Sequence, residues 1–374
     1  MSDATSSNTP PSPDQLSGVF DVYDVDKTED AILYYGIPQV PPNHIVENLW
    51  PVFEQSGYEV QYTRRTGEDV LVVTPKQPTS SNSIPWTHII LFSLTVLSTL
   101  FAGAMWFHVD VTSEPLQIWR GWPFAAAILT VLGIHELGHY VLGRYHSVNV
   151  TLPYFIPIPT LIGTMGAVIR LRGRIPDRRA LFDIGVAGPI AGIIATIIVT
   201  TIGLFLGPVT VPETVVEAEN AVEIELGYPP LMEILAWITG QQLYYEDPTK
   251  MVHPVVIGGW VGMFVTFLNM IPVGQLDGGH IVRALAAEYQ ETIASLVPGA
   301  LFGLAGVLYF FYDVAFQSIF VWIVWGGLAL LVAFAGPANP VRDSDTLGPK
   351  RKIIGIVAFA LAALCFAPIP IQVQ

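Results

Sequence analysis

The stretch WPFAAAILTVLGIHELGHYVLGR, residues 122–144, decides how this chain is read. Up to Ile134 it is apolar or small throughout, and the whole stretch has about the 20-residue length of a bilayer-crossing helix. Yet His135, Glu136 and His139 sit inside it. Ionisable groups at membrane depth are costly and mark function. Histidines four positions apart share a helix face, so both imidazoles can reach one metal ion. Glu136, beside the first, is placed to take the proton from a metal-bound water. Arg144 marks the end of the apolar run. At about 1.5 Å per residue the two imidazoles lie roughly 8–14 Å below that boundary, inside the membrane but reachable from one face.

The rest of the chain supports a membrane setting. Of 374 residues, 52% are hydrophobic and 13% charged, with mean hydropathy +0.51. Soluble proteins carry about 25% charged residues, so a single water-soluble globule is excluded. Apolar runs at 86–107, 122–143, 181–206, 254–273, 296–312, 316–335 and 353–368 read as seven spans, or six if the tight turn from Tyr312 to Gln317 joins two of them. With a cytoplasmic N-terminus, fifteen of the 17 cationic residues fall on the cytoplasmic side, leaving Arg120 and Lys250 outside. That split obeys the positive-inside rule and puts the C-terminus outside. A net charge of −14 argues against nucleic acid as a partner. The one cysteine, Cys365, excludes an intramolecular disulfide and any cysteine-based metal cluster.

Residues 1–14 are Ser/Pro-rich and read as a disordered tail without signal or transit peptide. Residues 15–85 read as a small cytoplasmic α+β unit with its linker. A helix follows Pro41-Pro42-Asn43, and a hairpin runs from Tyr58–Tyr62 to Val70–Val73. A transmembrane core would span 86–295, and additional transmembrane helices 296–374. The outer loop, about 207–252, holds eight acids (Glu213, Glu217, Glu219, Glu223, Glu225, Glu233, Glu246 and Asp247) against Lys250 as its only base. Acid surplus with scarce lysine suggests the cell membrane of a salt-adapted prokaryote.

A catalytic metal of this kind needs a third protein ligand and an open position. Six residues after His139 stands Tyr145, and no downstream Asp has a Glu four residues before it. What remains is NMIPVGQLDGGH, residues 269–280, at the cytoplasmic end of the fourth span. Pro272 and Gly274 should break that helix, as half-helices do around intramembrane sites. Asp277 is then either a ligand or a helix-capping carboxylate. His280 reads equally as a partner or gate of the site and as a surface residue at a helix start. Between spans two and three, three prolines in TLPYFIPIP (151–159) forbid a regular helix, and 163–171 is rich in strand formers. A membrane-dipping hairpin is expected there, with a free edge able to add an unwound strand. Gly185, Gly188 and Gly192 read as packing contacts for the site helix. The aromatic clusters Tyr309–Tyr312 and Phe320–Trp322 read as facing lipid or its interface. His44, His88, His108, His146 and His253 are given no metal role.

HELGH in one span, with N-x-x-P and LDGGH in a later one, resembles the site-2 protease family of intramembrane zinc metalloproteases. The similarity is closest to the archaeal, cyanobacterial and plant-plastid branch, judged by GTMGAVI (163–169), GPIAG (188–192) and PVGQLDGG (272–279), and covers about 120–285. The Gly-Asn-Leu-Arg motif of the plant branch is absent from the N-terminal unit, and the outer loop shows no PDZ-like insertion. The resemblance implies one Zn2+ per chain held by His135, His139 and Asp277. It implies Glu136 as general base and acid, Asn269 orienting substrate, and hydrolysis within or near transmembrane segments of membrane proteins. The expected architecture is an α-helical polytopic membrane protein of six to seven transmembrane helices. A re-entrant hairpin between spans two and three and a small N-terminal α+β unit complete it. Its partners are transmembrane substrates and the lipid bilayer, and the residues do not define an oligomeric state.

Overall fold

A computed structural model describes residues 9–28, 31–65, 67–75, 84–172, 174–217, 224–336, 338–343 and 346–373. Thr66, Lys76, Glu219 and Glu223, which entered the reading of the hairpin, the cation count and the acidic loop, lie outside the described residues. The chain divides into two compact units. Everything up to Ile84 forms one together with Pro340–Asp343, and the remainder forms the other.

The first unit is a sheet with one helical cover. A short helix α1 (Pro13–Leu16) leads into β1 (Phe20–Lys27) and β2 (Ile32–Pro38); α2 (Pro42–Gln55) then precedes β3 (Tyr58–Arg65) and β4 (Glu68–Pro75). The strands are antiparallel in the order β1-β2-β4-β3. Alternation along the strands turns Phe20, Tyr34, Val60, Leu71 and Val73 toward Ile45, Leu49 and Phe53 of α2, giving the unit its own core. Residues 1–8 of the expected tail lie outside the described residues, but 9–14 depart from the disorder that composition suggests. Pro11 is buried and its carbonyl accepts the Tyr34 hydroxyl at 2.8 Å, so a single apolar anchor, Leu16, with this bond orders a polar stretch. Pro340–Asp343, between the sixth and seventh expected spans, packs with this unit, Val341 against its core.

The second unit begins with α3 (Trp86–Trp106) and α4 (Trp122–Tyr145). Between them the Thr112 and Ser113 hydroxyls hold the Asp110 carboxyl down at about 2. Short strands follow: β5 (Asn149–Val150), β6 (Tyr154–Pro157), β7 (Thr164–Val168) and β8 (Leu171–Arg172). Among the described residues β6 pairs antiparallel with β7, and β5 with β8. The β6–β7 hairpin is fastened to α3, where Ser98 donates to the Gly163 carbonyl at 2.6 Å and Trp106 to the Leu161 carbonyl at 2.8 Å.

The long α5 (Arg178–Phe205) comes next. It leads through β9 (Val209–Thr210), α6 (Glu213–Val216), β10 (Ile224–Leu226), α7 (Pro230–Thr239) and β11 (Lys250–Met251) to α8 (Pro254–Asn269). Helices α9 (Asp277–Leu285), α10 (Gln290–Phe311), α11 (Phe316–Ala335) and α12 (Pro349–Leu364) and strand β12 (Ile371–Val373) complete the chain. β12 pairs with β10, so the chain ends on the side of the molecule that carries the 207–252 loop.

Among the described residues five helical segments are long and apolar enough to cross a membrane: 86–106, 115–145, 178–205, 287–311 and 316–335. Expected spans four and seven are 16-residue helices instead, α8 and α12. Sixteen residues rise only about 24 Å, short of a hydrocarbon core of about 30 Å. In α8 the cause is local: the helix stops at Asn269, three residues before Pro272, and Gly274 takes a positive φ of 50°. One aromatic expectation fails. Tyr309–Tyr312 and Phe320 are exposed, but Trp322 is fully buried; its indole N–H donates to the Pro368 carbonyl at 2.7 Å, and Phe267 and Phe366 pack on its ring. The segment after α12 covers it, a contact no local pattern announces.

Candidate metal centre

Four helices build the site. In α4 the four-residue spacing sets His135 and His139 on one face, their rings 5.0 Å apart and both buried, with Glu136 buried beside them. Two glycines of α5 let it approach that face. A Cβ on Gly188 would fall on Nε2 of His139, and one on Gly192 would come within 2.8 Å of Nδ1 of His135. Two of the three glycines read as packing contacts, Gly188 and Gly192, therefore touch the imidazoles themselves, while Gly185 lies against His280. The break after α8 delivers the third group. The chain turns through 270–276 and restarts as α9 with Asp277 in its first turn. The N-cap of α9 is Leu276, whose side chain makes no cap, and Asp277 stands one residue inside it.

The Asp277 carboxylate instead faces the imidazoles. Oδ2 lies 3.2 Å from Nε2 of His135 and Oδ1 3.2 Å from Nε2 of His139, and the two Nε2 atoms are 3.3 Å apart. One ligand atom from each residue lies within 4.8 Å of the other two. Donors about 2.05 Å from a tetrahedral zinc sit about 3.3 Å from one another, so these separations suit three corners of one coordination shell. The charge balance points the same way. Two carboxylates, buried Glu136 and part-buried Asp277, share the site, and their ion-pair partners among the described residues are imidazoles, with no Lys or Arg. Burying two anions without a cation is strongly unfavourable, and a divalent ion removes the penalty.

Neighbouring groups orient this set. His139 donates Nδ1–H to the Ile184 carbonyl of α5 at 2.7 Å, which leaves Nε2 as its lone-pair nitrogen. Glu136 Oε1 is 4.0 Å from Nε2 of His135. Asn269 Nδ2 lies 3.3 Å from Nε2 of His135. The structure thus brings His135, Glu136, His139, Asn269 and Asp277 to one place. His280 is buried against Gly185 with Nδ1 unpartnered, which ends its reading as a surface residue. Sequence reasoning missed the Ile184 carbonyl. Backbone groups carry no residue-type signal, and only their place in the fold selects them.

Residues 123–310 match peptidase family M50, a range that includes all five residues. The probable zinc metalloprotease EGY1, chloroplastic, of Oryza sativa subsp. japonica is 31% identical over 251 residues, which are 66% of this chain and 40% of that protein. The probable zinc metalloprotease EGY2, chloroplastic, of Arabidopsis thaliana is 30% identical over 311 residues, 80% of this chain and 52% of its own length. The probable zinc metallopeptidase EGY3, chloroplastic, of Arabidopsis thaliana is 24% identical over 303 residues, 76% of this chain and 49% of its own length. This chain spans about half the length of these relatives, or less. No solved structure matches it.

Proposed function

This chain belongs to peptidase family M50, and from that membership we propose that it is a zinc endopeptidase that hydrolyses a peptide bond within or beside a transmembrane segment of another membrane protein. The observation that carries the reading is the convergence of His135, His139 and Asp277 on one point, with an unligated carboxylate, Glu136, next to them. A structural zinc would close its shell with a fourth protein ligand, whereas a catalytic one keeps a position open.

When bound, zinc supplies Lewis-acid chemistry, polarising a carbonyl and lowering the pKa of a coordinated water toward about 7. The chain's own groups do the rest. Glu136 takes the proton of the attacking water and returns it to the leaving amine. The Ile184 carbonyl holds His139 in its ligating tautomer. Asn269 orients the substrate backbone beside His135.

A helical substrate presents no accessible peptide bond and must unwind. We assign its receptor to β7, which among the described residues pairs only with β6, leaving one edge unpaired there, with Met165 and Val168 exposed. A strand added there lies beside α4, which β7 contacts, so binding and chemistry are close together. In this reading the hairpin re-enters the membrane, the N-terminus is cytoplasmic and the C-terminus lies outside; the cation distribution and the β10–β12 ladder support that orientation.

The test is cleavage of a membrane-spanning reporter by the wild type and by Glu136→Gln. The expected loss is about 10²–10⁴-fold, and equal turnover would end the proposal. A proline scan through 164–169 should abolish cleavage while membrane insertion and zinc content stay normal; cleavage that persists throughout would discard the strand-addition step.

A further inference from the structure

Helix α12 lies outside the residues matched to the family, yet it reaches the turn of α5 that orients a ligand. Arg351, in its first turn, donates Nε–H to Asp183 Oδ1 and an Nη2–H to Asp183 Oδ2, each at 2.8 Å, a bidentate pair. His146, which ends α4, donates Nε2–H to the same Oδ2 at 3.0 Å. These side chains are 35%, 18% and 17% exposed for Arg351, Asp183 and His146, so the network is largely shielded from water. One residue before Asp183, Phe182 is fully buried and lies so near Gly355 of α12 that a Cβ there would meet its ring at 3.1 Å. One residue after it, the Ile184 carbonyl accepts the His139 imidazole.

Residues 182–184 are thus packed on α12, ion-paired to α12 and α4, and bonded to a candidate ligand. This turn needs holding. Pro189 has no N–H to give the Gly185 carbonyl, so α5 loses one helical hydrogen bond directly after the Ile184 carbonyl. With that bond missing, the first turns of α5 can rotate against the rest unless something fixes them.

We propose that Asp183 is a positioning residue of the metal centre: clamped by Arg351 and His146, it fixes the first turns of α5 and with them the Ile184 carbonyl that keeps His139 in its Nε2-ligating tautomer. The last helix is on this account a buttress of the site. The inference rests on the reading that His139 ligates zinc. Groups that orient a metal-ligating histidine typically govern metal affinity by 10–100-fold, and a partner one step further out belongs at the low end.

The experiment uses the full-length, zinc-loaded protein in detergent or nanodiscs and follows zinc transfer to a chelator, with melting of the metal-free protein measured in parallel. Asp183→Asn and Arg351→Gln should each weaken zinc binding about tenfold. Arg351→Lys, which keeps the charge but not the fork, should fall between them and the wild type. Lys352→Gln removes an exposed charge one residue away and should match the wild type. Wild-type zinc affinity in both Asp183→Asn and Arg351→Gln overturns the proposal. A lower melting temperature of the metal-free protein with unchanged zinc affinity overturns it too, by making the network structural only. A wild type that binds no zinc would defeat the underlying metal assignment instead, so the two failures are distinguishable.

Discussion

The α4–α5 and α10–α11 pairs are built from similar residues and put to opposite uses. Both join apolar helices long enough to cross a membrane, but 61% of the most apolar stretch of α5 is buried inside the protein against 28% in both α10 and α11. Hydropathy does not separate them; small residues and what they face do. Gly188 and Gly192 of α5 lie against the imidazoles of α4, whereas a side chain at Gly299, Gly303 or Gly306 of α10 would meet nothing within 4 Å. In lipid, where apolar side chains gain little by leaving one apolar medium for another, close backbone approach and polar contacts hold helices together. The polar site and the close approach therefore belong to the same pair, and the outer pair leaves its aromatics Phe310 and Phe311 exposed.

The contrast can be broken at its strongest point first. Gly188→Ala should displace Nε2 of His139 and lower zinc affinity about 10–100-fold, read by chelator competition; an alanine variant with wild-type zinc binding would mean that the two helices are not held as close as they stand here. A middle-sized effect is expected at Trp322→Phe, which keeps most of the ring volume but leaves the Pro368 carbonyl without its donor. A cost of about 1–2 kcal/mol in unfolding free energy is expected, measured by reversible denaturation in micelles. The smallest effect sharpens the comparison: Gly303→Ala on α10 should change stability by less than about 1 kcal/mol and leave cleavage unaltered. If Gly303→Ala were as damaging as Gly188→Ala, Gly303 would be a close contact too, as Gly326 of α11 is against Phe302.

What could be read in advance follows from range. The pairing of His135 with His139 on one face is a property of helical periodicity and needs five residues. The end of α8 was legible because Pro272 and Gly274 act within a turn of themselves. The β3–β4 hairpin followed from strand formers on either side of Gly67. Asp277 stands 142 positions from His135, and nothing local measures that gap; only motif resemblance joined them beforehand. Trp322 was misread because an aromatic run looks the same whether it meets lipid or the returning chain at Pro368. Nor could any pattern single out the Ile184 carbonyl or the Asp183 clamp, since each depends on a third helix arriving at the right turn.

Composition and periodicity by themselves determined that this chain is a helical membrane protein, which segments are apolar and where a buried His–Glu–His face must lie. They act through neighbours a few residues apart, where backbone geometry alone relates one side chain to the next. Tertiary structure decided which glycines become contacts, where the chain returns to cover Trp322, and which backbone carbonyl steers His139. In an apolar medium many helix packings bury similar surface, and it is shape, together with the few polar groups that must be satisfied, that selects among them.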